Sequence, residues 1–120
     1  MPEVTDEEKK NYRDFFVATS NALGDALRIL HGLEAAETDP DERRKIVLRR
    51  RNVEDQITQV DRDFRAFARA DFRLRPPSDR QVDAVMKSAT ELAALTQEAT
   101  ELRAVMKLTK FIMTKYQSLG

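Results

Sequence analysis

The stretch from Ser78 to Leu119 places a seam residue every three or four positions, and neither glycine nor proline interrupts it. Residues at this spacing share one face of an α-helix. At 1.5 Å per residue, a continuous helix over this stretch would be roughly 60 Å long. A helix of that length would dominate a 120-residue chain, so we expect the remaining residues to lie along it. The seam consists of Val85, Ser88, Leu92, Leu95, Ala99, Leu102, Met106, Thr109, Met113 and Tyr116.

Two earlier segments have the same periodicity and are bounded by proline-containing linkers. Thr5 and Glu8 form a capping-box pattern, which predicts the start of the first helix. Pro40 cannot continue that helix but suits the first position of the next one. Pro76-Pro77 then ends the second helix, because the residue before a proline is disfavoured in helical geometry.

The predicted fold is all-α: an up-down-up antiparallel three-helix bundle of long amphipathic helices. Linkers of a few residues normally join antiparallel neighbours, which sets this topology. The length fits one helical-bundle domain over residues 1–120. The helices are predicted at about 5–37, 40–74 and 78–118. The predicted core includes Phe16, Leu23, Leu30, Val60, Phe64, Leu92 and Leu102.

Composition and motifs point away from enzymatic activity. The chain has no cysteine, which excludes disulfides and thiolate metal sites. It contains no Glu-x-x-His motif, no phosphate-binding glycine-rich loop and no recognisable catalytic triad. We therefore expect a protein that is not an enzyme and needs no metal or cofactor. The acidic, polar first ten residues do not resemble a signal peptide, and no apolar run is long enough for a membrane span, so we expect a cytoplasmic protein.

The single histidine, His31, suggests histidine phosphotransfer, since a helical bundle is the usual scaffold for that activity. In phosphotransfer domains a Lys-Gly pair follows the histidine, whereas here Gly32 follows immediately and no lysine is near. We therefore interpret His31 as a partly buried residue beside the helix 1 seam. Phosphotransfer through His31 is kept as a third hypothesis.

Positive charge is concentrated in the second helix. Residues 1–40 carry nine acidic and four basic side chains, whereas residues 41–80 carry twelve basic and eight acidic ones. One interpretation is an anionic partner: nucleic acid, acidic lipid or an acidic protein face. The other is a solvated face that pairs with nearby carboxylates. The zero net charge and the pI near 6.6 count against nucleic acid. The candidates for an anionic partner are Arg43, Arg44, Arg49, Arg50, Arg51, Lys107 and Lys110.

The apolar face of the predicted third helix changes direction between its two halves. A wide buried stripe in a supercoiled bundle is one explanation, and an exposed apolar strip for a partner or a second copy is the other. The candidate partner-binding residues are Met106, Ile112, Met113, Tyr116 and Leu119. The leading hypothesis is a non-enzymatic protein-interaction module (an adaptor, an immunity or chaperone-like protein, or an assembly subunit) that binds a protein partner or forms a homo-oligomer. The alternative is a nucleic-acid-associated or regulatory protein that uses helix 2.

Overall fold

The computed structural model describes residues 4–71, 73–95 and 102–120. Within these ranges the chain forms four α-helices and no β-strand: α1 (Asp6–Ala36), α2 (Pro40–Ala68), α3 (Asp79–Ala94) and α4 (Leu102–Gln117). The all-α class is confirmed. The predicted number of three helices is wrong, because the stretch predicted as one helix over 78–118 forms both α3 and α4.

The predicted helix starts are confirmed by their caps. Thr5 accepts a hydrogen bond from the Glu8 amide, and the Glu8 carboxylate accepts one from the Thr5 amide. Ser78 and Gln81 make the same reciprocal pair at the start of α3. Asp39 caps α2, with Pro40 at the first helical position. Each cap satisfies amides that have no partner inside the helix, which fixes where the helix begins.

Helix α2 ends at Ala68, earlier than the predicted residue 74. Ala70 has a φ of 60°, in the left-handed region, and its amide donates to the Phe67 carbonyl. The Asp71 amide donates to the Ala66 carbonyl, which completes a Schellman motif. The helix therefore stops several residues before Pro76-Pro77, and alanine occupies a position that usually belongs to glycine.

The break between α3 and α4 is the main correction to the predicted fold. Helix α3 ends at Ala94, and the extended backbone of Leu95 does not continue it. Residues 96–101, including the predicted seam residue Ala99, lie outside the described residues. Helix α4 runs back along α3, and Gln81 near the start of α3 donates to the Ser118 hydroxyl at 3.1 Å. The two differently directed apolar faces of the sequence thus belong to two helices, and each face is turned towards α1.

The four helices run up, down, up and down, with α1 as the common packing partner. Helix α1 packs against each of the other three, and α3 packs against α4. Helices α2 and α4 scarcely approach each other along the described residues. They run in the same direction, because Arg49 lies near Leu102 while Asp63 bonds to Tyr116. The side of the bundle between α2 and α4 is therefore open.

The core follows the seams of all four helices. Of the predicted core residues, five are buried, namely Phe16, Leu23, Leu30, Val60 and Leu92. Phe64 and Leu102 are only partly buried and pack against the edge of the core. A Cβ atom at Gly24 would contact nothing within 4 Å, so this glycine does not mark a close helix approach.

An aromatic cluster fills one end of the bundle, where the start of α1, the residues before α3 and the end of α4 meet. The rings of Tyr12 and Phe16 stack 6.3 Å apart, and Phe15 stacks on Tyr116 at 6.2 Å. Phe64 and Phe67 approach the same rings from α2. We call this end the closed pole; its ring residues are Tyr12, Phe15, Phe16, Phe64, Phe67 and Tyr116.

Hydrogen bonds between distant segments tie the closed pole together. The Asn11 side-chain amide donates to the Pro77 carbonyl at 3.2 Å and to the Asp79 carboxylate at 2.9 Å. The Arg75 amide donates to the Leu119 carbonyl at 2.8 Å. These bonds join α1, α4 and the segment before α3, so the closed pole is fixed by polar contacts as well as by packing.

Candidate functional site

A groove follows the open side of the bundle between α2 and α4 and has a volume of about 1080 Å³. It exists because α3 and α4 both pack on α1, which leaves α4 separated from α2 except near the closed pole. We call this surface the α2–α4 groove. Its lining residues are Arg49, Asn52 and Gln56 from α2, and Leu102, Arg103, Met106, Lys107, Thr109, Lys110, Met113, Thr114 and Gln117 from α4.

The floor of the groove is apolar. Leu102, Met106 and Met113 are spaced four and seven residues apart on α4 and so share one face. Leu102 and Met106 are partly buried, whereas Met113 is only 5% exposed. Methionine is flexible and polarizable, which lets a surface built from it adapt to a bound apolar side chain.

The rim of the groove is cationic. Arg103, Lys107 and Lys110 follow one edge of α4, and Arg49 faces them from α2. All four side chains are exposed, and none forms an ion pair with a described residue. The lining residues include no aspartate or glutamate. The groove therefore carries four positive charges that no neighbouring lining carboxylate neutralises.

Two polar groups lie at the base of the groove. The Thr109 hydroxyl donates to the Val105 carbonyl at 2.8 Å, within its own helix. The side-chain oxygen of Gln56 is buried and has no hydrogen-bond partner in the described part of the chain. Neither group is charged, so the electrostatic character of the groove is set by its rim.

The predicted apolar strip is mostly core. Ile112, Tyr116 and Leu119 are at most 2% exposed, because α4 turns them towards α1 and α3. Met113 belongs both to the core and to the groove floor. Only Met106 remains partly exposed at the groove. The strip is predicted on one long third helix, whereas the reversal of the chain into α4 buries most of it.

Tyr116 joins the core to α2 through a polar contact. Its hydroxyl donates to the Asp63 carboxylate, and this is the point where α2 and α4 come together. Burial raises the pKa of Tyr116 well above its ordinary value, and the hydrogen bond and charge of Asp63 raise it further. Tyr116 therefore stays protonated and anchors the closed pole.

The predicted basic residues separate into two groups. Arg49, Lys107 and Lys110 are brought together at the groove, whereas Arg43, Arg44 and Arg51 are exposed outside it. Because α4 runs parallel to α2, the neighbours of Arg49 come from the start of α4. The far end of α4 carries Lys115, whose Nζ lies 5.4 Å from the centroid of the Phe111 ring.

Arg50 has a structural role in place of the predicted exposed one. Its guanidinium bonds to Glu34 on α1 at 2.8 Å and to Glu54 on α2 at 2.6 Å. The hydrogen bond to Glu34 is the main cause of its raised pKa. The ion pair with Glu34 joins α1 to α2, so Arg50 is not available to an anionic partner.

The side of the bundle opposite the groove has the opposite charge. A furrow between α1 and α3, which we call the acidic furrow, is lined by Glu7, Asp14, Asp79 and Asp83. Lys10 is its one basic lining residue, and its ammonium pairs with Asp14 at 2.9 Å. Met86 also lines this furrow and is 48% exposed. The two open surfaces of the bundle therefore differ in charge and in apolar content.

The remaining sequence hypotheses concern His31, metals and membranes. His31 is exposed on α1, which corrects the expectation that it would be partly buried. Among the residues that the structure describes, no group of histidine and carboxylate side chains could hold a metal ion. No helix over these residues is long and apolar enough to cross a bilayer.

Sequence reasoning does not identify Leu102 in the groove floor or Arg103 in its rim. Leu102 is predicted in the core, and Arg103 is not among the predicted candidates for an anionic partner. Their signal in the sequence is that Arg103 precedes Lys107 by four residues and Lys110 by seven, so the three cations share an edge of one helix. The same spacing applies to Leu102 and Met106 on the neighbouring stripe.

Comparisons with known proteins add no assignment. No protein-family model matches the chain, and neither a curated protein nor a solved structure matches it.

Proposed function

We propose that this chain is a non-enzymatic protein-interaction module, an adaptor or assembly subunit, and that the α2–α4 groove is its docking surface. The observation that carries the proposal is the open side of the bundle, where two helices line a groove instead of packing together. An apolar floor inside a charged rim is the usual anatomy of a protein contact. A cytoplasmic location is part of this proposal.

The exposure of the floor supports the assignment. Leu102 and Met106 are neighbours on one stripe and belong to a continuous lining. By contrast, Leu48 on α2 is 60% exposed but lines none of the described surface depressions. Isolated exposed apolar residues are normal on soluble proteins, whereas grouped ones mark a binding surface.

The alternative of a nucleic-acid-associated protein draws less support from the arginines of α2. Arg50 is engaged by two glutamates. Arg44 and Arg65 each pair with an aspartate one turn away. Phosphate recognition needs cations that are available to the phosphates, so the paired arginines favour the interaction module. The phosphotransfer hypothesis has only the exposed position of His31 in its favour.

Substitution of the groove floor tests the proposal. Met106→Asp places a carboxylate on the apolar floor, and Met86→Asp makes the same change in the acidic furrow as a matched control. Met86 is exposed and Met106 is only partly buried, so both variants should keep the wild-type circular dichroism spectrum. Affinity capture from native extract, with quantitative mass spectrometry, should recover a protein with wild type and Met86→Asp that Met106→Asp fails to recover.

Two results would contradict the proposal. One is a set of captured proteins that is the same for Met106→Asp and Met86→Asp while both remain folded. The other result is that a short nucleic-acid duplex binds the wild-type protein with an affinity that falls steeply as the salt concentration rises. That dependence on salt is the behaviour of phosphate contacts.

A further inference from the structure

We infer that the partner segment is an acidic amphipathic α-helix that lies along the α2–α4 groove with its carboxylates against the cationic rim. This inference rests on the proposed function and adds the chemical class of the partner. It draws on three observations: the shape of the open side, the spacing of the rim cations, and the contrast with the acidic furrow.

The shape of the groove suits a helix. Two helices flank it, running in the same direction, and α4 contributes lining residues from its first residue to its last. The 16 residues of α4 span about 24 Å, which is the length of a helix of four to five turns. A helix that packs into such a groove presents apolar residues at positions i, i+3, i+4 and i+7. Leu102, Met106 and Met113 would receive that stripe.

The rim specifies the charge of the occupant. Arg103, Lys107 and Lys110 are spaced four and three residues apart, so they form a row along one edge of α4. A partner helix with aspartate or glutamate at the same spacing places a carboxylate near each cation. Arg49 on the opposite edge contacts the second flank of the helix. Such rim charges mainly set partner selection and the rate of association.

The acidic furrow of a second copy is a less suitable occupant. The furrow is formed by two helices that already pack together, so it offers no single helix that could enter the groove. The furrow and the groove also lie on opposite sides of the bundle. A contact between them would leave a free groove on one copy and a free furrow on the other, which gives an open chain of molecules. A discrete partner helix has no such consequence.

Two designed peptides test the inference. The first is a fluorescent amphipathic helix of about 16 residues with leucines on one face and glutamates on both flanks. The second has the same leucines with lysines in place of the glutamates. Fluorescence anisotropy with the full chain should show the glutamate peptide binding at least about tenfold more tightly than the lysine peptide.

Charge reversal on the protein provides the matched comparison. In Lys107→Glu with Lys110→Glu the preference should invert, so that the lysine peptide binds more tightly. The control is Arg51→Glu with Arg62→Glu, which reverses two exposed charges of α2 that do not line the groove. This control should keep the preference of the wild type. Circular dichroism checks that all variants remain folded.

The outcomes separate the inference from the proposed function. Equal affinity for the two peptides, no binding of either, or a preference that survives charge reversal at Lys107 and Lys110 would overturn the acidic-helix assignment. If Met106→Asp still abolishes partner capture in that case, the proposed function stands and only the partner class fails. If neither Met106→Asp nor the charge reversal at Lys107 and Lys110 affects partner capture, both the proposed function and the acidic-helix assignment fail. Light scattering that shows mass increasing with concentration, or a nucleic-acid duplex that displaces the glutamate peptide, would also overturn the assignment.

Discussion

Helices α2 and α4 contribute to both the closed pole and the α2–α4 groove, but in different ways. At the closed pole, aromatic rings from three helices stack together, and hydrogen bonds join segments far apart in sequence. Along the groove, α2 and α4 diverge, Leu102 and Met106 stay partly exposed, and the rim cations have no ion-pair partner among the described residues. The difference shows that α2 and α4 come together at one end of the bundle and leave an open surface along the rest of their length.

The division explains why an open side is compatible with a stable fold. Each fully buried aliphatic or aromatic side chain contributes roughly 1.5–3 kcal/mol of hydrophobic stabilisation. The core residues of α4, including Val105, Ile112 and Tyr116, are buried against α1 and α3. The groove floor can therefore stay available without a large loss in the free energy of unfolding. The four predictions that follow test this separation, from the largest expected effect to the smallest.

Ile112→Asp should unfold the protein. The side chain of Ile112 is fully buried, so the substitution places an unpaired carboxylate in the core. We expect a loss of more than about 4 kcal/mol in the free energy of unfolding. Met106→Asp, about 1.7 turns away on the groove side, should cost less, about 1–2 kcal/mol, because Met106 is only partly buried. Urea denaturation followed by circular dichroism measures both, and a folded Ile112→Asp variant would show that α4 is not packed as described.

Truncation at the two regions should differ by several-fold. Phe16 lies at the centre of the closed pole and is 2% exposed, so Phe16→Ala should cost about 3–5 kcal/mol. Leu102 is partly exposed at the groove, so Leu102→Ala should cost less than about 2 kcal/mol. Denaturant unfolding curves give both free-energy differences from the shift in midpoint, provided that the slope of free energy against denaturant concentration is unchanged. Equal costs would mean that the groove floor is as important to folding as the closed pole.

The stability of the closed pole should depend on pH in the alkaline range. Burial is the main cause of the raised pKa values of both Tyr12 and Tyr116. Above the ordinary tyrosine pKa of 10.0, the unfolded chain loses these protons while the folded chain keeps them. The stabilisation is therefore complete below pH 10 and is lost as the pH rises, by up to ~1.4 kcal/mol per pH unit for each tyrosine.

Tyr116→Phe provides the check. Above pH 10, the slope of the free energy of unfolding against pH should be shallower than in wild type. Lysine side chains also titrate in this range, but they do so in both proteins and do not account for the difference. Tyr12→Phe should flatten the slope as well, because burial and the nearby charge of Glu8 raise the pKa of Tyr12. An unchanged slope in Tyr116→Phe would mean that the Tyr116 hydroxyl is not held in the folded protein.

The smallest expected effect is a gain in stability at the end of α2. Ala70 has a left-handed backbone, which costs an L-residue energy that glycine does not incur. Ala70→Gly should therefore raise the free energy of unfolding by about 0.5–1 kcal/mol. Thermal melts of Ala70→Gly should show a higher midpoint than wild type. The same substitution at the exposed neighbouring residue, Arg69→Gly, should show no such increase. A lowered midpoint for Ala70→Gly would contradict the Schellman geometry.

The sequence predicts the parts of the fold that depend on local chemistry. The capping residues fix the starts of α1, α2 and α3, and the 3–4 spacing identifies the core stripes. Two helix ends are not predictable in this way. Ala70 is not a typical residue for a left-handed cap, and no glycine or proline marks the end of α3 near Leu95. These ends depend on tertiary packing, because reversing the chain lets both apolar faces contact α1.

The candidate site depends on that same reversal, so the sequence predicts it only in part. The cations at Arg49, Lys107 and Lys110 are visible in the sequence, but which of them lie together depends on the direction of α4. A continuous third helix would expose Ile112 and Tyr116, whereas the folded-back helix buries them and leaves Met106 at the surface. The change in direction of the apolar face is therefore the feature of the sequence that indicates the break, and its explanation is that the two faces belong to α3 and α4.

The central position of α1 also has a consequence for the order of folding during synthesis. Helices α1 and α2 are adjacent in sequence and can pair as soon as Ala68 has left the ribosome. The face of α1 that includes Phe15 remains uncovered until Tyr116 has been synthesised, because those two rings stack in the finished protein. The nascent two-helix hairpin therefore exposes apolar surface for the time needed to add about fifty residues, several seconds at typical translation rates. We expect this hairpin to be the species most prone to aggregation and to chaperone binding.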